Sequence, residues 1–179
     1  MRPFLKFADA VDWLDAEVGQ TLPWLVLLAS LISAFNALMR YTIHYSSNAW
    51  LEIQWYMFGA MFLLAAGYAL KHGEHVRVDV FYSKMSPRTQ AWVDVVGTVL
   101  FLMPMAVIIA WLSIPMVVNS YHIQEHSSDA GGLLRWPIKI MIPLGFALLA
   151  LQGVAEIIKK AAVAGGIREA GKSYERPVQ

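Results

Sequence analysis

Apolar residues along this chain gather into four long blocks, at 22–43, 49–70, 91–119 and 137–158, instead of alternating with polar ones. Each block matches or exceeds the roughly 20 residues that a helix needs to cross a hydrocarbon core of about 30 Å. The pattern therefore predicts an all-α integral membrane protein with four transmembrane helices. Ahead of the first block, Phe4, Phe7, Val11, Leu14 and Val18 recur at helical spacing with Asp9 and Asp12 off the stripe. That spacing predicts an amphipathic N-terminal helix lying in the membrane interface, although Trp13 falls on its polar face. Beyond residue 158 the chain turns small and polar, as a mobile tail would. The expected organisation is thus 1–20, an amphipathic helix; 21–158, a four-helix membrane domain; and 159–179, a polar cytoplasmic tail.

Composition agrees: 58% of the 179 residues are hydrophobic, 15% are charged, and the mean hydropathy is +0.49. With no cysteine, the chain cannot form disulfides, thiolate nucleophiles, cysteine-held iron–sulfur clusters or covalently attached haem. The positive charges add orientation. Eleven Lys and Arg lie in the N-terminal segment, the second connection and the tail, whereas the other side has Arg40, Arg135 and Lys139 alone. Positive charge collects on the cytoplasmic side, which predicts that both termini are cytoplasmic. The acidic N-terminus has no small-residue cleavage site near its first apolar block, so that block is expected to remain as a helix.

The connection "HYSSN" at 44–48 is short enough to force an antiparallel hairpin. It brings Arg40 and Glu52 to similar depth, where charges face inward and pair, so an Arg40–Glu52 ion pair is expected. A proton or cation on Glu52 is the functional alternative. Small residues in the second block, Gly59 and Ala60 among them, allow close helix approach. The third helix should begin at Ser86 as N-cap with Pro87 in its first turn, and Pro104 and Pro115 are expected kinks. Asp129, Gly131 and Gly132 read as a turn before the fourth helix.

Three patterns suggest chemistry. His72, His75 and Asp79 have metal-ligand spacing, but Gly73 and the alternation "HVRVDV" predict that the helix ends there. "HIQEH" at 122–126 matches a zinc-peptidase pattern, which needs both histidines on one helix face and a walled cleft. Every histidine lies in a connection or at a helix end, so a haem anchor could use only an outer pair such as His44 with His122. No catalytic, cofactor or metal residue is assigned, and the chain is not expected to be an enzyme or to bind nucleic acid. A self-sufficient small transporter, working as a homo-oligomer, would place an ionisable group at the midplane or show an internal repeat. The small four-helix exporters work as dual-topology dimers, which the one-sided charge distribution opposes.

Arg40 and Tyr41, "WLEIQWYMFGA" at 50–60, "GEHVRVDV" at 73–80 and "GGLLRWPIKIMIPLGFALLALQG" at 131–153 together resemble the small permease subunit of the tripartite ATP-independent periplasmic (TRAP) transporters. The resemblance covers about residues 30–158 and is nearest to the branch labelled for mannitol, chloroaromatic compounds or 2-oxoacids. In that family two acids often follow the Trp, whereas here Glu52 is followed by Ile53. The resemblance implies a bacterial inner-membrane scaffold subunit beside a larger permease subunit, with a periplasmic binding protein delivering an organic acid and a sodium gradient driving uptake. It also implies structural or interface roles for Arg40, Trp50, Glu52, Gly59, His75, Arg77, Asp79 and Arg135. His75 and Asp79 would hold the cytoplasmic connection or the partner, and Arg77 would add inside charge.

Overall fold

The computed structural model describes residues 2–73, 82 and 84–166. His75, Arg77 and Asp79 lie outside them. Four helices are long and apolar enough to cross a membrane: α1 at Arg2–Thr42, α2 at Asn48–His72, α3 at Pro87–His122 and α4 at Trp136–Ala164. Each starts before the apolar block that predicts it. Two ends of the bundle follow from this order. The hairpin end carries the α1–α2 and α3–α4 connections, and the terminal end carries the start of α1 and the end of α4.

α1 is a single helix of 41 residues, about 62 Å long, with Pro23 inside it. The expected boundary near residue 20 is therefore not a break in the helix. Its buried positions explain the continuity. Ala8, Asp15, Leu22, Ala29 and Asn36 recur every seventh residue and all are buried. Val11 is buried, and Val18, Leu25, Ile32 and Met39, each three residues after a buried one, are half-buried. This is the 3.5-residue period of a left-handed coiled-coil seam, so one helix face follows its neighbours for the full length. Of the N-terminal stripe, Val11 and Val18 lie on this seam, whereas Phe4, Phe7 and Leu14 are exposed.

The same period runs through α3 at Ala106, Ser113 and Ser120, all buried. What the bundle buries is mostly small or polar, with Leu22 and Leu149 among the exceptions, while Trp24, Leu31, Phe62, Phe101, Trp111 and Leu112 stay on its outside. That inversion is expected in lipid, where burying a large apolar side chain gains little and close backbone packing gains more. Gly145 of α4 illustrates it, since a Cβ there would come within 2.6 Å of the Leu63 carbonyl oxygen of α2. α4 consequently sits at the centre, packing against α1, α2 and α3.

In α3, Ser86 accepts from the Thr89 amide at 3.3 Å and Pro87 fills the first turn, as the sequence predicts. A π-turn at Thr98–Leu102 stands immediately before Met103 and Pro104. Pro104 has no N–H to offer one turn back, and the Met103 amide reaches Thr98 O instead, widening the helix. The bulge packs on Gly153 of α4, where a Cβ would lie 2.9 Å from Met103 Sδ. Pro115 sits within the helix without such a turn.

Candidate functional site

Glu52 stands just past the first turn of α2 and is 5% exposed. Its Oε2 accepts the backbone N–H of Leu133 at 2.6 Å. Gly132 allows this approach: a Cβ there would collide with Ser127 Cβ and lie 2.8 Å from Glu52 Oε1. Further bonds fasten the same segment to α2. Tyr56 donates to Leu134 O at 2.9 Å and Asn48 to Ala130 O at 3.1 Å. Within the loop, Ser127 N donates to Leu133 O at 2.9 Å and Arg135 N to Glu125 O at 2.8 Å. The Arg135 guanidinium donates to Ser127 Oγ at 3.3 Å, and Gly131 takes the positive φ of 72° that closes the turn after Asp129. Lys139 pairs with Glu125, and this ammonium holds the Glu125 carboxyl below the usual glutamate range.

The expected Arg40–Glu52 ion pair is not formed. Arg40 is exposed, one position past the seam residue Met39, while Glu52 turns inward under the loop. A buried carboxylate gains more from fixed amide donors than from a mobile surface guanidinium. Trp50 packs edge-on against Phe35 at 6.0 Å, and Gly59 makes room for Ile138, where a Cβ would lie 3.1 Å from its Cδ1. Trp50, Glu52, Gly59 and Arg135 thus all make contacts within this chain.

The histidine motifs separate. His122 ends α3, Gln124 has a positive φ of 47°, and His126 Nδ1 donates to Gln124 O at 2.7 Å. The two rings of "HIQEH" therefore do not share a helix face. His72 Nδ1 donates to Tyr68 O at 2.9 Å, in the turn before the Gly73 cap. Among the described residues, no three His, Asp or Glu side chains are grouped to hold a metal.

At the terminal end lies a second polar cluster that the sequence reading missed. Lys159 donates to both Asp12 oxygens, at 2.9 and 3.0 Å, and to Glu156. Gln152 donates to Asp12 Oδ1 at 2.9 Å, and Lys71 donates to Asp12 O at 2.7 Å. Lys160 pairs with Asp94 at 3.1 Å, tying α4 to the start of α3. A signal was present: Gln152, Glu156 and Lys159 fall at intervals of four and three, one helical face, at the end of the last apolar block. Lys159 and Lys160 accordingly belong to the ordered end of α4.

The two charged layers are spaced to suit a membrane. Along α2, Glu52 and Lys71 are separated by a rise of about 28 Å, and along α4 Lys139 and Glu156 by about 26 Å, close to a hydrocarbon core of about 30 Å. Between the layers, a furrow of about 820 Å³ runs between α1 and α2, lined by residues such as Gly19, Leu22, Val26, Phe62, Ala66 and Gly145. It presents no converging polar groups of the kind that would hold a carboxylate or an ion.

These features define a small four-helix membrane protein with a charged lock at each face and an apolar middle. The family model for the DctQ component of the tripartite ATP-independent periplasmic transporters matches residues 29–163, most of the chain. The chain belongs to that family: it is a small membrane subunit of a TRAP transporter. No curated protein and no solved structure matches it.

Proposed function

We propose that this subunit is the fixed scaffold of a sodium-coupled, binding-protein-dependent importer of organic acids such as C4-dicarboxylates or 2-oxoacids. It stands in the bacterial inner membrane with both termini in the cytoplasm. The carrying observation is the family match combined with what the bundle holds between its charged layers. No Asp, Glu, Lys, Arg or His occurs between Glu17 and Arg40, Glu52 and Lys71, Asp94 and His122, or Lys139 and Glu156. A carrier that moved an organic anion with sodium by itself would need such groups at the midplane. The charge locks at both faces suit a part that stays still. The substrate and sodium sites then belong to a larger permease subunit, with a periplasmic binding protein as the transient third partner. The one-sided Lys and Arg distribution supports the orientation.

Purifying the tagged chain from its native membrane in mild detergent, with mass spectrometry of what accompanies it, tests this reading. Recovery of a large polytopic permease in comparable amount is expected. A chain that emerges alone as a stable homo-oligomer and takes up an organic acid in liposomes would overturn it.

A further inference from the structure

Asp15 stands on the α1 seam and is 1% exposed, and its Oδ2 has no hydrogen-bond partner. Its carboxylate lies against Gly67 of α2, where a Cβ would sit 2.8 Å from Oδ2 and 3.0 Å from Oδ1. Gln152 of α4 is fully buried in the same layer, and its Oε1 likewise has no partner. Both orphaned atoms are acceptors, so what the site wants is a donor. An unmatched acceptor at this depth costs about 1–3 kcal/mol, and an unpaired buried charge costs more.

The charges facing this site are also unequal. From α1 come Asp12 and Asp15, from α2 Lys71, and from α4 Glu156 and Lys159. Lys159 is engaged by Asp12 and Glu156, and the Lys71 ammonium is bonded to a backbone carbonyl. No cation pairs directly with Asp15 among the described residues. Among the described residues, three carboxylates face two ammonium groups, leaving one negative charge over.

We propose that Asp15 is a proton-binding site, its carboxyl neutral at physiological pH, with the proton supplying the donor that this buried layer lacks. One proton removes the surplus charge and leaves every other ion pair intact. It also fits the space beside Gly67, where a hydrated cation would not, and the described residues offer no third carboxylate or imidazole ligand. The proton then fixes α1 against α2 and α4 where the helix leaves the membrane. Raising pH should loosen that junction, because an ionised Asp15 is a buried charge without a partner. This inference does not rest on the transport reading.

Infrared difference spectroscopy on the full chain in lipid nanodiscs tests it. At neutral pH a protonated-carboxyl C=O band should be present, should shift on 13C labelling of aspartate, and should vanish in Asp15→Asn. That variant should melt no lower than the wild type at neutral pH and should lose the fall in stability seen as pH rises. An aspartate band absent at neutral pH would overturn the proposal without reference to any variant. So would a melting temperature that depends on sodium when choline replaces it at constant ionic strength, which would assign the site to a metal cation.

Discussion

Glu52 and Leu133 are 81 residues apart in sequence, yet the carboxylate of one accepts the amide of the other at 2.6 Å, so the start of α2 shapes the loop that precedes α4. Removing the side chain leaves the half-buried Leu133 N–H without its acceptor. Glu52→Ala should therefore free the 127–133 segment, while Glu52→Gln, which retains an acceptor oxygen, should free it less. The chain has no cysteine, so a single Cys at the exposed Ser128 carries a unique spin label. Its electron spin resonance lines should narrow in the order wild type, Gln, Ala. Unchanged mobility in the alanine variant would show that Tyr56 and Asn48 suffice to hold the loop.

The Glu125–Lys139 pair gives the same loop a pH dependence. Lys139 lowers the Glu125 pKa in the folded chain, so the unfolded chain binds protons more readily and the pair contributes stability above the ordinary glutamate value, near pH 4.3. That contribution is lost as pH falls through the depressed folded value. The label at position 128 should stay immobile from neutral pH down to about pH 4 and loosen only below it. Lys139→Met should already be looser at pH 7. A label that mobilises between pH 7 and 5 would assign control to another group.

Gly145 and Gly97 separate close packing from helix propensity. At Gly145 a Cβ would press on the Leu63 carbonyl, which belongs to backbone and cannot turn aside. Gly145→Ala should cost roughly 1–3 kcal/mol through displaced helices. Nothing lies within 4 Å of a Cβ at Gly97, so Gly97→Ala should be neutral or stabilise by up to about 1 kcal/mol. Intrinsic tryptophan fluorescence during thermal unfolding in detergent reads both. Equal effects at the two sites would mean that α2 and α4 are not in contact as described.

The four helices were legible because lipid demands continuous apolar length, and the Ser86–Pro87 start and the Asp129–Gly132 turn were legible because caps and turns are local chemistry. The seam was not. In a bilayer both faces of α1 are apolar, so Leu27, Leu31 and Phe35 outside look no different from Leu22 and Leu25 inside. Only small and polar residues at sevenfold spacing betray the buried face. The N-terminal stripe shows the same mixing, since Val11 and Val18 face the bundle while Phe4, Phe7 and Leu14 of the same apolar spacing stay exposed. Glu52 was found, but not its partner, since a backbone amide leaves no mark in the sequence.

Lys159 gives the most direct test of the terminal-end cluster. Its ammonium is shared between Asp12 of α1 and Glu156 of its own helix, with side chains only 15–21% exposed. Lys159→Met would leave two partly buried carboxylates uncompensated and cost about 2–3 kcal/mol, less than the 3–5 kcal/mol for fully buried pairs because water still reaches the edge. Asp12→Asn added to Lys159→Met removes one of those charges while its amide oxygen can still accept from Gln152. The double variant should therefore melt above Lys159→Met alone, with a coupling of at least about 0.5 kcal/mol. Additive losses would show that α1 is held on α4 by the Ala8, Val11 and Ala155 contacts and owes nothing to the ion pair.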